Sequence, residues 1–462
     1  MNCQSSQQSD LHQLINDGNF DQARAEIHQQ LETPDKLTPE QVLDLEFQLD
    51  RMNRIEKDFT ATRPEVKKYI AQYIPEVSDA DIQKWEEEKS LESRMINGEK
   101  RYFKYAARNL FRINPEAKKI WAEAHKDDTS GDSFDLAGHD QEIIDLAVHH
   151  HQEYNSPVRM HVTYSISVHP DVVPAGEVIR CWIPFPREVR NRQTDVQYLN
   201  SEPAQHMIAP NDLALQRTIY LEKLATEGKP TTFSVEYTFT GKGTYTAIDP
   251  DQVQSVDPEG ALKPYLSENP PHIVFTDSLK ALSKRIIGDE TNPYRVAQKL
   301  YAWVDNIPWA SAREYSTISD ISSYCYTNKH GDCGIQTLLL MTLCRMNGIP
   351  TRWQSGWEFK PPDDSMHDWA QIYFKPYGWV PLDVTYGQFD TDENQLRWFY
   401  LSGMDSYRII FNDAFSQPFY PVKIYPRSET VDSQRGEVEW RGGNLYFDQW
   451  DWNIQWNAEP TM

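Results

Sequence analysis

Three short segments in the second half of this 462-residue chain carry residues that together could transfer an acyl group through a thiol. They are Gly331-Asp332-Cys333-Gly334, then His367-Asp368-Trp369, then Gly378-Trp379-Val380-Pro381-Leu382-Asp383. A thiolate can attack a carbonyl carbon, an imidazole can carry the proton, and a carboxylate can fix the imidazole's tautomer. Cys333, His367 and Asp383 are the candidates for those three roles. Alone, each has a blander reading: a small core cysteine, a satisfied histidine, a solvated acid. Their conjunction on suitable elements carries the signal.

Those elements follow from local pattern. Asp332 is a good helix N-cap, and Ile335, Leu338, Leu339, Leu343 and Met346 recur after it at helical spacing. Asn347-Gly348 followed by Pro350 is a stop signal. Cys333 is thus expected in the first turn of a buried helix. There the macrodipole and free N–H groups favour a thiolate, and the same donors can hold an oxyanion. His367 opens an alternating run, with Trp369, Gln371 and Tyr373 on one face and Ala370, Ile372 and Phe374 on the other. After a turn at Lys375-Pro376-Tyr377-Gly378, a second antiparallel strand ends near Asp383, bringing the acid back beside the imidazole.

At these residues the chain resembles the transglutaminase-like superfamily of papain-type thiol enzymes. The resemblance runs from Gly331 to Thr385: Gly-x-Cys opening a long helix, Gly348-Ile349-Pro350-x-Arg352 closing it, then Gly356, His367-x-Trp369 and Gly378-Trp379-x-x-x-Asp383. It implies Cys333 as nucleophile, His367 as base and Asp383 as orienter. Arg352, anchoring the segment after the helix, and Trp369, packing beside the imidazole, are expected to support them. Val384 stands where the family often has proline, and Gln371 where it often has an acid. Both departures bear on substrate and surroundings rather than on the three central residues.

Composition sets wider limits. The formal charge is −23 and the pI is near 5.0, which disfavours nucleic acid and anionic membranes as partners. No apolar run is long enough for a transmembrane helix. The five cysteines (Cys3, Cys181, Cys325, Cys333, Cys344) show no metal-ligand spacing, and the proposed chemistry calls for no cofactor or metal. The start Met1-Asn2-Cys3-Gln4-Ser5-Ser6-Gln7-Gln8 resembles a processed bacterial lipoprotein, with Cys3 as a lipid anchor and an envelope location. A frayed terminus on a cytoplasmic protein is the competing reading.

The expected fold class is α+β and multidomain. Residues 1–155 read as a helical region, with a capping box at Thr38-Pro39-Glu40-Gln41 and a further helical stretch from Ser78 to Arg112. Residues 156–250 read as an antiparallel β-sandwich, with strands at Val158–Val168, Val178–Ile183, Leu213–Leu221 and Phe233–Phe239. Residues 251–410 read as the papain-like, transglutaminase-like catalytic core, with helices at 277–287 and from Asn292-Pro293 onward. Residues 411–462 read as a C-terminal β segment whose Trp450, Trp452, Ile454 and Trp456 share one face; burial is favoured over sugar stacking. Pro308 to His330 lacks periodicity and is expected to wall the cleft, with Trp309, Tyr324, Tyr326 and His330 as weak contact candidates. The function expected is amide acyl transfer on a peptide or protein through a thioester, resolved by water or by an amine. The alternative is a non-catalytic peptide- or glycan-binding protein on the same scaffold.

Overall fold

The computed structural model describes residues 11–126 and 134–461, so Cys3 lies outside the described residues. They form two compact units. The first gathers residues 11–126 with Pro308–Ser319 and Tyr324–Asp332; the second holds 134–307, Asp320–Ser323 and 333–461.

The first unit is mainly helical: α1 (11–17), α2 (Phe20–Leu31), α3 (Pro39–Asp58), α4 (Arg63–Ile70), α5 (Asp79–Glu87), α6 (Ala106–Ile113) and α7 (Pro115–Ala124). The capping box at Thr38 and Gln41 forms as the sequence predicts. Helix from 78 to 112 does not continue, because a hairpin of β1 (Ser93–Ile96) and β2 (Glu99–Tyr102) interrupts it. The cause is Asn97-Gly98, with φ of 47° and 83°. Two consecutive positive φ values build a tight primed turn that a helix cannot accommodate. Pro308–Ser319 folds onto these helices: the Arg51 guanidinium donates to Thr317 O at 3.2 Å, and Asn109 Nδ2 to Ser311 O at 2.8 Å.

The second unit opens with α8 (Leu136–His149) and then a sandwich. Its strands are β3 (Tyr154–Val168), β4 (Val178–Pro184), β5 (Gln193–Glu202), β6 (His206–Ile208), β7 (Thr218–Leu224) and β8 (Thr231–Tyr245). The strand expected at Leu213–Leu221 begins only at Thr218, and Leu213 is 73% exposed in the preceding turn. Strand β5 was not among the expected strands; it pairs with β8 through a register with two shifts. The alternating β3 residues from Val158 to Val168 are buried in one core with Ile183, Phe233 and Phe239.

Helices α9 (Asp277–Ile287), α10 (Pro293–Asp305), α11 (Tyr324–Asn328, in the first unit) and α12 (Cys333–Met346) follow. Then come β9 (Thr351–Glu358), β10 (Ser365–Phe374), β11 (Gly378–Leu382), short α13 (Asn394–Arg397) and α14 (Phe399–Ser402), β12 (Gly403–Met404) and β13 (Arg408–Asn412). The site-bearing sheet has the order β11-β10-β9-β13. The last strands, β14 (Glu437–Trp440), β15 (Gly443–Leu445) and β16 (Trp450–Pro460), complete the sandwich: β14 pairs with β4, and β16 runs antiparallel to β3 from Trp450 to Pro460. Trp450 is 2% exposed and Trp452 43%, while the Trp456 ring lies 5.2 Å from Phe359. The tryptophans therefore form no uniformly open stacking face. No helix among the described residues is long and apolar enough to cross a membrane.

Candidate functional site

Cys333 is the first residue of α12, and every residue from Gly334 to Arg345 is buried. An apolar helix of this kind is fixed by its surroundings, which holds its first turn in place. At its far end Ile349 N donates to Cys344 O at 3.0 Å, with Gly348 at φ 72°. The left-handed glycine ends the helix as the sequence signal predicts. Arg345 then ties the helix to β9, donating through Nη2 to Thr351 O at 2.7 Å. Arg352, in the segment after the helix, ties β9 to its neighbours: it lies 4.5 Å from the Trp379 ring and donates to Gln371 Oε1 at 2.5 Å, so the residue departing from the family pattern has a partner on the adjacent strand.

His367 lies near the start of β10, opposite Gly356 of β9. A Cβ on Gly356 would stand 1.8 Å from Ile409 O of β13, so only glycine lets the two strands close at this level. Strand β11 returns with Ala370 opposite Leu382, which delivers Asp383 one residue beyond the strand. The hairpin brings His367 and Asp383 together: His367 Nε2 is 2.7 Å from Asp383 Oδ2, with both side chains almost fully buried. The acid is held on every side. Its Oδ1 accepts from Thr385 N at 3.0 Å, its backbone O from the Tyr301 hydroxyl at 2.7 Å, and its N donates to Tyr400 O at 2.8 Å.

A residue that the motifs did not reveal completes this corner. Arg408 Nη1 donates to the same Asp383 Oδ2 at 2.6 Å, and its Nε donates to Asp405 Oδ2 at 2.7 Å. The guanidinium sits 5.3, 4.9 and 5.5 Å from the rings of Trp369, Tyr386 and Tyr400. Burial alone would push the Asp383 carboxyl up. The charges of His367 and Arg408 and the hydrogen bonds from both outweigh burial and hold it below the usual carboxylate range. Arg408 is likewise kept charged: burial opposes the cation, and Asp405 and Asp383 overcome it. The one signal for Arg408 in the sequence was a charge inside the apolar run Tyr407-Arg408-Ile409-Ile410-Phe411. Trp369 is fully buried with its ring 6.0 Å from His367, and its Nε1 donates to Gln354 Oε1 at 2.8 Å. The Tyr386 ring meets the imidazole edge-on at 5.4 Å.

A different acid meets the thiol. Cys333 Sγ lies 3.5 Å from Asp368 Oδ2, and Gln434 Nε2 donates to Asp368 Oδ1 at 2.7 Å and to His367 O at 2.9 Å. Asp432 is a further neighbour, accepting from the Ser355 hydroxyl at 2.5 Å. Burial raises the Asp432 carboxyl, an effect that hydrogen bonds from Asp368 and Ser355 only reduce. Nearby Glu429 is pushed up to about 8, first by burial and then by the charge of Asp432. Neither Gln434 nor Asp432 left a mark in the sequence pattern.

The four weaker candidates fall in the first unit. Tyr324 is buried with its hydroxyl donating to Glu92 at 2.6 Å, and His330 is buried. Tyr326 is half-buried, and Trp309 is exposed under the Arg112 guanidinium at 4.6 Å.

Residues 280–384 match the sequence profile of the transglutaminase-like superfamily. No curated protein matches the chain in sequence. Among solved structures, a proposed cysteine protease from Cytophaga hutchinsonii is 18% identical, with 66% of this chain and 92% of that one covered and a TM-score of 0.44. The periplasmic domain of TgpA from Pseudomonas aeruginosa is 12% identical, with 56% and 95% covered and a TM-score of 0.25.

Proposed function

We propose that this chain, whose residues 280–384 are a transglutaminase-like core, is a thiol enzyme acting on amide bonds of peptides or proteins through Cys333, His367 and Asp383. The observation that carries the reading is the buried 2.7 Å pairing of His367 Nε2 with an Asp383 carboxylate clamped by Arg408. That pairing commits Nε2 and leaves Nδ1 as the nitrogen that takes the Cys333 proton. The thiolate attacks the amide carbon, and the tetrahedral oxyanion is met by N–H groups of the first turn of α12. His367 then gives its proton to the departing nitrogen, so an amine leaves and a thioester remains. His367 next draws a proton from water or from an incoming amine. Attack by that group releases the acid or a new amide and restores the thiol.

The test is alkylation and turnover on the full chain. Iodoacetamide should label one fast-reacting cysteine near neutral pH, Cys333. A profile of cleaved amides and incorporated amines should vanish in Cys333→Ala. Labelling no faster at Cys333 than at Cys325 or Cys344, with the profile unchanged in Cys333→Ala, would overturn the proposal.

A further inference from the structure

A second cluster lies wholly in the first unit and includes none of Cys333, His367, Asp368 and Asp383. Arg313 is only about one-fifth exposed, yet it donates no hydrogen bond to any described residue; its buried Nε has only an ion-pair contact with Glu92 at 3.5 Å. Its guanidinium lies against two aromatic rings, 5.9 Å from Phe59 and 5.6 Å from Tyr324. Arg94 lies 5.6 Å from the same Phe59 ring and donates only to the backbone O atoms of Ile15 and Asn16. Arg51 adds a third cation, 6% exposed. Burial and the charge of Arg313 bring Arg51 and Arg94 down to about 10, with Arg51 also acting on Arg94. Glu92 is the carboxylate acting on both Arg94 and Arg313, and it is shared with the Tyr324 hydroxyl.

His330 meets the Tyr324 ring edge-on, with centroids 5.7 Å apart. Its Nδ1 faces Asn328 O at 2.9 Å and so carries the proton, while its buried Nε2 has no hydrogen-bond partner. The cluster thus holds a guanidinium whose two Nη atoms donate to no described residue, three cations facing the carboxylates of Glu92 and Asp44, and an unused acceptor, within a protein of net charge −23. Guanidinium forks favour planar oxyanions, which they bind through two parallel hydrogen bonds. We infer that this cluster is a binding site for a peptide's terminal carboxylate. The carboxylate bridges the donors of Arg313 within the field of Arg51 and Arg94, and the adjoining amide N–H meets His330 Nε2.

Titrating the full-length Cys333→Ala protein with N-acetylglycine, N-acetylglycinamide and inorganic phosphate tests this without the thiol, so its failure is separate from failure of the enzymatic reading. N-acetylglycine should bind saturably and raise the melting temperature, and the amide should not. Arg313→Gln should weaken binding about tenfold or more, and Arg313→Lys, which keeps the charge but not the fork, should lose most of the affinity. Arg94→Gln provides a second variant should Arg313 variants misfold by circular dichroism, and it should weaken binding as well. Equal binding of the amide, unchanged affinity in a folded Arg313→Gln or Arg94→Gln protein, or binding of phosphate without N-acetylglycine would overturn it.

Discussion

Asp383 and Asp432 are both buried carboxyls near one strand, and their surroundings push them in opposite directions. Asp383 shares its Oδ2 between an imidazole and a guanidinium, and it stays ionised. Asp432 faces another acid and a hydroxyl, with the charges of Arg427 and Arg435 as weaker opposing influences, and burial raises it. His367 and Asp368, the residues next to the two acids, are consecutive in β10. What separates the two environments is the partner, since both acids are withdrawn from water.

The sharpest way to break this comparison is at the proposed reacting groups. Cys333→Ala should abolish amide turnover, and His367→Ala should lower it by about 10²–10⁴-fold, as expected for loss of a positioned general base. Asp368→Asn should change the rate of Cys333 alkylation near neutral pH far less than His367→Ala does. The reverse order would make Asp368, the acid in contact with the thiol, the proton acceptor.

The next effect is on stability, read from urea unfolding. Asp383→Asn leaves part of the buried Arg408 charge uncompensated and should cost on the order of 3–5 kcal/mol. Asp432→Asn removes a carboxyl whose anion burial already disfavours, and it should cost less than Asp383→Asn. Equal costs would mean that the partners do not distinguish the two sites.

The smallest effect lies in pH dependence. A carboxyl lowered by folding, such as Asp383, adds stability above the unfolded value and loses it as pH falls through its folded value. Glu429, raised to about 8, works the other way. Between the ordinary glutamate range and pH 8 the folded state binds more protons than the unfolded one, so stability falls as pH rises. Glu429→Gln should flatten that decline over pH 5–8 in thermal unfolding and leave the acid limb unchanged. An unaltered slope would show that Glu429 does not titrate there.

The chain's local order was legible in the sequence. The Cys333 helix, the His367 strand, the return to Asp383 and the β3 alternation each depend on a period or a turn within a few residues, which nearest-neighbour sterics set. The Asn97-Gly98 hairpin was also written locally, but scattered apolar residues at helical spacing concealed it. What lay beyond the sequence were partners brought together across long separations. Arg408 reaches Asp383 from 25 residues away, Gln434 bonds Asp368 from 66, and β16 pairs with β3 from the far end of the chain. The insertion of Pro308–Ser319 into the helical unit is of the same kind. Periodicity states that a residue is buried or exposed. Which charge it meets once buried depends on how the strands close around it, and that closure fixed Asp383 as an anion and raised Asp432.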